Sequence, residues 1–346
     1  MNVLARRVKP FRGGIVFCIV CAAIAGCGGG SDDESRPAPE SSVMQQAVAR
    51  HALPYSRLGI TAIVASPDGK SLAVAHSDGR VSLLDAVSRS EVRQLAGAAG
   101  RAAAGLVFSA DGRYLVTVGR DSSAQVWNVD TGTASMTLRG HEQPLRAVSA
   151  SGDSSLVATA GEETRVMLWD GATGRLQRAL SGPTDFVNAV SVSRDGQWVA
   201  SGDASARVLV WNANTGKLVN SLRGHTGEVN AVVFSPDART LASAGEDGKV
   251  VVWQLTGGQG STVLQGSGPS IRSLAFSSDG QVLAAGGVGG KVTLWDMASR
   301  KVLSESSASA GAVNALAFGT GDRSELLFAD GHSGLLAMSV SRLSAR

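Results

Sequence analysis

Alternating apolar and polar positions run through the chain from about residue 59 onward, in short stretches broken by Pro, Asp and Gly. Residues 229–255 show the arrangement most clearly: VNAVVFS, the turn SPDA, TLASAG, the turn EDGK, and a β-branched run VVVWQL containing Trp253. A further run, KLVNSLRG (217–224), follows Trp211 by six residues. A period of two predicts half-buried strands, and connections this short predict antiparallel neighbours. Each unit is therefore expected to be a meander of four strands joined by Pro, Asp and Gly turns.

The unit repeats. Trp127, Trp169, Trp211, Trp253 and Trp295 are 42 residues apart in every case. The first turn recurs as SPDG (66–69), SADG (109–112), SRDG (193–196) and SSDG (277–280), with SGDS (151–154) as a variant. Degenerate copies bring the count to seven, the first with Leu84-Asp85 and the last with Met338 in the tryptophan position. This length fits a propeller blade, and weaker terminal copies are usual in repeat arrays.

On these residues the chain resembles the WD40-repeat β-propellers over about residues 45–346. That family's signature is Gly-His before the first strand, Ser or Thr on the second, Asp in the next turn, and Trp-Asp closing the third. Gly224-His225, Ser243, Asp247 and Trp253 match it fully, and Gly140-His141, Thr159, Glu163 and Trp169-Asp170 match with Glu for Asp. The resemblance implies an all-β, seven-bladed propeller in which these side chains form a hydrogen-bonded relay. A buried imidazole and indole N–H both need partners, and a carboxylate and a hydroxyl supply them. Elsewhere Gly182 precedes Pro183, Gly266 precedes Ser267, and Ser205 and Gly289 replace the turn acid. Those blades are expected to rely on packing alone.

Only eight residues follow Met338, too few for a fourth strand in the last blade. The family closes its ring with an N-terminal strand, and VMQQAVARHALPYS (43–56) stands in the right place. It is expected to pair with the run near Leu335 to Val340, which would protect sheet edges from aggregation.

The amino-terminal segment has another character. Arg6, Arg7, Lys9 and Arg12 precede an apolar run from Ile15 to Ala25, whose 11 residues are too few to span a bilayer. This is a secretory leader, and Ile24-Ala25-Gly26-Cys27 resembles the lipobox of bacterial lipoprotein precursors, which implies cleavage before Cys27 and lipid attachment to it. Residues 1–26 are thus expected to be a signal peptide, 27–42 a lipidated cysteine with a flexible tether, and 43–346 the propeller. The tether, GGGSDDESRPAPESS, has no large apolar residue and would span about 20 Å on average and roughly 50 Å fully extended. All three cysteines, Cys18, Cys21 and Cys27, lie in this region, so the exported domain must be held by its core without disulfides.

Removing the leader also changes the charge. Four of the 32 basic residues leave with it, and 28 against 29 acidic ones gives −1. Such a balance offers no nucleic-acid footprint. Gly28 after the cysteine, where enteric bacteria use Asp for inner-membrane retention, favours the outer membrane where there are two.

Catalytic signals do not assemble. His141-Glu142 begins like a zincin helix, but Leu145 stands in the place of the second His and Pro144 would break the helix. Gly69-Lys70-Ser71 ends like a phosphate loop, yet Val64 replaces the earlier glycine, and Gly286 to Gly290 falls at a strand-to-strand turn. No cofactor or metal is implied.

Recognition remains. WD-repeat propellers bind partners on the narrow face through residues at the start of each inner strand and just before the turn acid. Here the resemblance carries this to Phe186, Asn188, Arg146, Arg120, Asn230, Glu246 and Arg272, with Thr61, Glu162, Glu228 and Asn314 among their companions. An exposed aromatic with arginines is the composition of interface hot spots. The expectation is a non-enzymatic, monomeric protein-binding scaffold, lipid-anchored and periplasm-facing at the bacterial envelope. The alternatives are a subunit of an outer-membrane assembly complex and a propeller hydrolase or lactonase.

Overall fold

The recurring Ser-x-Asp-Gly turns fold as their chemistry requires. In a computed structural model describing residues 48–51, 59–95, 103–256, 260–264, 268–307, 311–319, 325–330 and 334–340, Ser66 Oγ donates to Asp68 Oδ1 at 2.6 Å and accepts the Ser71 N–H at 2.9 Å. Asp68 also accepts the Lys70 N–H at 3.0 Å, and Gly69 takes φ 70°. The Ser-to-Asp bond recurs at Ser109, Ser151, Ser193, Ser235 and Ser277. Ser154 and Ala238 stand where other copies have Gly and adopt φ 59° and 57°, a conformation non-glycine residues seldom take. In the third copy the Ser151 hydroxyl and the Ser155 N–H and hydroxyl hold the Asp153 carboxyl down at about 2.

These turns connect 28 strands into seven four-stranded antiparallel sheets, with no helix among the described residues. Blades 1 to 6 span residues 60–94, 103–139, 145–181, 187–223, 229–264 and 271–307, and blade 7 combines 313–339 with 48–51. Inner strands of successive blades lie against one another, and those of blades 1 and 7 meet, so the array is a closed seven-bladed propeller. The phosphate-loop-like Gly69-Lys70-Ser71 is a hairpin turn in blade 1, and Gly289 and Gly290 occupy the turn between the second and third strands of blade 6.

Seven apolar clusters form the core, one at each seam between blades. Trp169, Trp211 and Trp295 are almost wholly buried there. Removing roughly 200 Å² per indole from water is worth about 5 kcal/mol as an upper estimate. Seam packing follows a trade in size. In each seam cluster the last residue of the inner strand is grouped with the third residue of the second strand in the preceding blade. Where the first is Phe108, Phe234, Phe276 or Phe318, the second is Ala73, Ala200, Ala242 or Ala284. At the closing seam Ala65 is grouped with Leu327, between blades 3 and 4 Val192 with Ala158, and between blades 2 and 3 Ala150 with Val116. Facing large against small residues lets the layers interdigitate.

Val48–His51 is the outer strand of blade 7, antiparallel to Gly334–Ser339, with Val48 opposite Met338 and His51 opposite Leu335. This is the pairing expected from the short C-terminal remainder, and the rest of 43–56 lies outside the described residues. Arg89, buried in the turn before the outer strand of blade 1, bonds Glu325 of blade 7 at 2.5 Å across the same seam. The expected leader and tether, residues 1–42 with Cys27, also lie outside the described residues.

Candidate functional site

One structural device sets the direction of the residues expected to recognise a partner. In every inner strand the ladder skips the second residue: Leu145 pairs with Gly161 and Ala147 with Ala160, leaving Arg146 unpaired, and the same irregularity falls at Thr61, Ala104, Asn188, Asn230, Arg272 and Asn314. A bulge of this kind bends the strand and turns the extra side chain out of the ladder. Here the bulged side chains meet across the seams. Arg146 Nη1 donates to Asn188 Oδ1 at 2.9 Å, and Asn188 Nδ2 donates to Glu228 Oε2 at 3.2 Å. Asn230 Nδ2 reaches the Ile271 carbonyl at 3.0 Å, Arg272 Nη1 reaches Asn314 Oδ1 at 2.9 Å, and the Thr61 hydroxyl reaches the Ala103 carbonyl at 2.7 Å. Ala104 has no polar group to continue the series on blade 2.

The densest part lies on blades 3 to 5. Phe186 is 44 % exposed, and the Arg146 guanidinium lies over its ring at 5.6 Å from the centroid. Glu162 Oε1 accepts from Nε and Nη2 of Arg146, at 3.3 and 3.0 Å, while Asn188 holds Nη1. Four groups thus fix one another: the acid and the amide orient the guanidinium, and the guanidinium covers the aromatic ring. A cation above an aromatic face adds attraction without removing the ring from solvent. Among the other expected recognition residues, Arg272 and Asn230 are engaged with blades 7 and 6, and Arg120 and Glu246 are exposed.

Beneath this face, the relay residues are hydrogen-bonded in series. In blade 5 His225 Nδ1 meets Asp247 at 3.0 Å, His225 Nε2 meets Ser243 Oγ at 2.8 Å, and Trp253 Nε1 donates to Ser243 Oγ at 2.8 Å. In blade 3 His141 Nδ1 meets Glu163, Nε2 meets Thr159 Oγ1 at 2.6 Å, and Trp169 Nε1 donates to Thr159 at 2.7 Å. A hydroxyl that accepts from the indole has one proton to give, so it donates to Nε2 and leaves Nδ1–H facing the carboxylate. Burial holds the His141 ring below the usual histidine pKa, although Glu163 pulls the other way. Burial would raise the Asp247 carboxyl, but the Thr226 N–H, the His225 side chain and the Lys249 N–H together hold it below the usual carboxylate value. Gly224 is required beside the relay, because a Cβ there would come within 2.8 Å of the Trp253 ring.

Blade 4 corrects the expectation that relay-free blades rest on packing alone. Asp203, fully buried, accepts the N–H groups of Ser205 and Arg207 at 3.0 Å and bonds the Arg207 side chain at 3.1 Å. Arg207 Nη2 in turn donates to the Gly182 carbonyl at 3.1 Å and the Thr184 hydroxyl at 2.6 Å. An ion pair therefore does the polar work where His and the turn acid are missing. Trp211 Nε1 turns to the Ser181 carbonyl at 3.3 Å, and the Ser201 hydroxyl, in the relay position, is buried without a hydrogen-bond partner among the described residues. Blade 2 keeps a fragment of the relay, Trp127 Nε1 to Thr117 Oγ1 at 2.9 Å.

Sequence reasoning missed Asp203 and Arg207, whose signal is an acid where blades 3 and 5 end their second strand in Gly161 and Gly245. It also missed the Ser149 and Ser191 hydroxyls, which accept the Val192 and Phe234 N–H groups of the next blade at 3.0 and 3.2 Å.

The family model for the WD domain, G-beta repeat, matches residues 90–128, 132–170, 174–212, 216–254 and 258–296. Each match takes the outer strand of one blade and the three inner strands of the next, so the sequence unit straddles a seam. An uncharacterized WD repeat-containing protein of Synechocystis sp. (strain ATCC 27184 / PCC 6803 / Kazusa) is 28 % identical over 158 residues. The match covers 44 % of this chain and 44 % of that relative, so the chain spans less than half of the relative's length. With five matched repeats inside a closed ring of seven blades, the chain belongs to the WD40-repeat family.

Proposed function

We infer that this propeller is a protein-interaction scaffold that engages its partner through the Phe186–Arg146 sector of the face formed by the bulged residues. The observation that carries this is an exposed aromatic ring held under a guanidinium that Glu162 and Asn188 lock in place. Pre-ordered side chains of this type lose little entropy on binding, which is what makes aromatic and arginine anchors effective. The scaffold is tethered to the envelope by lipid on Cys27, a reading supported by the basic leader, the short apolar run and the Ile24-Ala25-Gly26-Cys27 pattern.

In-cell photocrosslinking from position 186 with mass spectrometry tests the first part. A partner is expected whose yield falls at least tenfold in Arg146→Ala; a yield unchanged in Arg146→Ala, and unchanged for crosslinkers placed elsewhere on this face in a Phe186→Ala, Arg146→Ala variant, contradicts it. The mass of the mature chain tests the second. Loss of the first 26 residues with added acyl mass is expected, and cleavage without lipid would make Cys27 a bystander.

A further inference from the structure

The seam between blades 2 and 3 departs from the size trade that fills the others. Four seams place a phenylalanine at the end of the inner strand, and here that position is Ala150. The opposing alanine becomes Val116, which returns two methyl groups against a missing phenyl ring. At the closing seam Leu327 makes the compensation, and between blades 3 and 4 Val192 is joined by Leu156 and Leu168. Between blades 2 and 3 the counterparts of those leucines are Tyr114, partly exposed, and the smaller Val126, and a cavity of about 170 Å³ remains beside Ala150.

The cavity is walled by Val116, Val126, Met136, Leu138 and Val157. At its mouth, on the face opposite Phe186, stand Tyr114, 37 % exposed, with Ser109, Ser154 and Asp170. The mouth is fixed in shape, because Ser154 Oγ accepts the Ala110 N–H across the seam at 2.6 Å and Asp170 is tied to Thr173 at 2.7 Å. An apolar cavity of ~150 Å³ stays dry and admits a benzene molecule. A polar entrance over apolar walls is the usual design of a small-ligand site.

We propose that this seam binds an aromatic ring carrying a hydrogen-bonding substituent, the ring entering where Phe234 and its counterparts sit in other seams and the substituent facing the mouth. The ring would be that of a free small molecule or of an aromatic side chain, and the chemistry recognised is the same. This site is independent of the Phe186 face.

The test titrates the full chain with phenol, indole and N-acetyl-tyrosinamide while following the Met136 methyl resonance. A saturable shift is expected with half-saturation of about 0.1–1 mM for at least one probe, weakened at least tenfold in Ala150→Phe and less in Ala150→Leu. Ala150→Phe should also melt about 2 °C higher, since it supplies the missing ring. Tighter binding of phenol or indole than of the blocked tyrosine supports the proposal with a free small molecule as the source; the reverse order supports it with a side chain as the source. No shift with any probe up to about 10 mM, or undiminished affinity in Ala150→Phe, overturns it. Should Ala150→Phe fail to fold, undiminished affinity in Ala150→Leu overturns it equally.

Discussion

Blades 4 and 5 are neighbours with the same strand register, and they hold the loop above them with different chemistry. Blade 5 uses the relay: His225, inside the loop, reaches down to Ser243 and Asp247. Blade 4 has Asp203 where blade 5 has Gly245, and Arg207 reaches up to Gly182 and Thr184. A Cβ at Gly245 would strike the Glu228 carbonyl at 2.3 Å, so a side chain at that position goes with a loop of another course. That course begins at Gly182, φ 146°, and ends at the exposed Phe186. The relay buries its loop residue, His225, whereas the ion pair works from below and leaves Phe186 exposed. The difference accompanies an exposed Phe186 on blade 4 where blade 5 has Glu228 at the matching position of the repeat.

Breaking the pair should have the largest effect. Asp203→Ala strands the Arg207 charge and two N–H groups, and about 3–5 kcal/mol should be lost in denaturant unfolding. Next comes Ser243→Ala, which leaves the Trp253 indole and one His225 nitrogen without a partner at an expected cost of about 2 kcal/mol. A smaller effect is expected from pH. The His141 pKa is lowered in the folded state, so the unfolded chain binds the proton first and stability falls as pH drops below 6.5, toward the lower folded value. His141→Gln should flatten that limb of a stability-against-pH curve, and an unchanged slope would show that another group titrates. Asp247, lowered in its folded pKa, adds stability present above 3.8 and lost as pH falls through its folded value. Smallest of all is Ser201→Ala in blade 4, expected within about 0.5 kcal/mol of wild type because that hydroxyl has no hydrogen-bond partner among the described residues. A cost equal to that of Ser243→Ala would mean that the two blades are not built differently.

Much of the propeller was legible because a 42-residue period in tryptophan survives any local ambiguity between strand and loop. The relay was legible for a related reason: its four residue types are unusual together, and each has a polar atom that burial obliges to find a partner. Asp203 and Arg207 were not, since an acid and an arginine four residues apart near a turn read as solvated surface. Their burial depends on the fold above them. The bulges were hidden as well. Nothing in VNAVVF or LRAVSA distinguishes a skipped residue from a paired one, although Arg146 and Asn188, 42 apart, were already neighbours in the repeat. The cavity beside Ala150 could have been found by aligning the strands, where Ala65 and Ala150 stand against four Phe and Ala150 alone of the two faces a Val, Val116, instead of a Leu.

Amide hydrogen exchange tests most directly whether the ion pair replaces the relay as the anchor of the Phe186 loop. The Ala204 N–H donates to the Phe186 carbonyl and the Glu246 N–H to the Glu228 carbonyl, each at 2.9 Å, so the two amides report the two loops in the same way. In Arg207→Ala the Ala204 amide should exchange at least tenfold faster with Glu246 unchanged, and in His225→Ala the pattern should reverse. Both amides accelerating together in either variant, or neither responding to its own, would contradict the account.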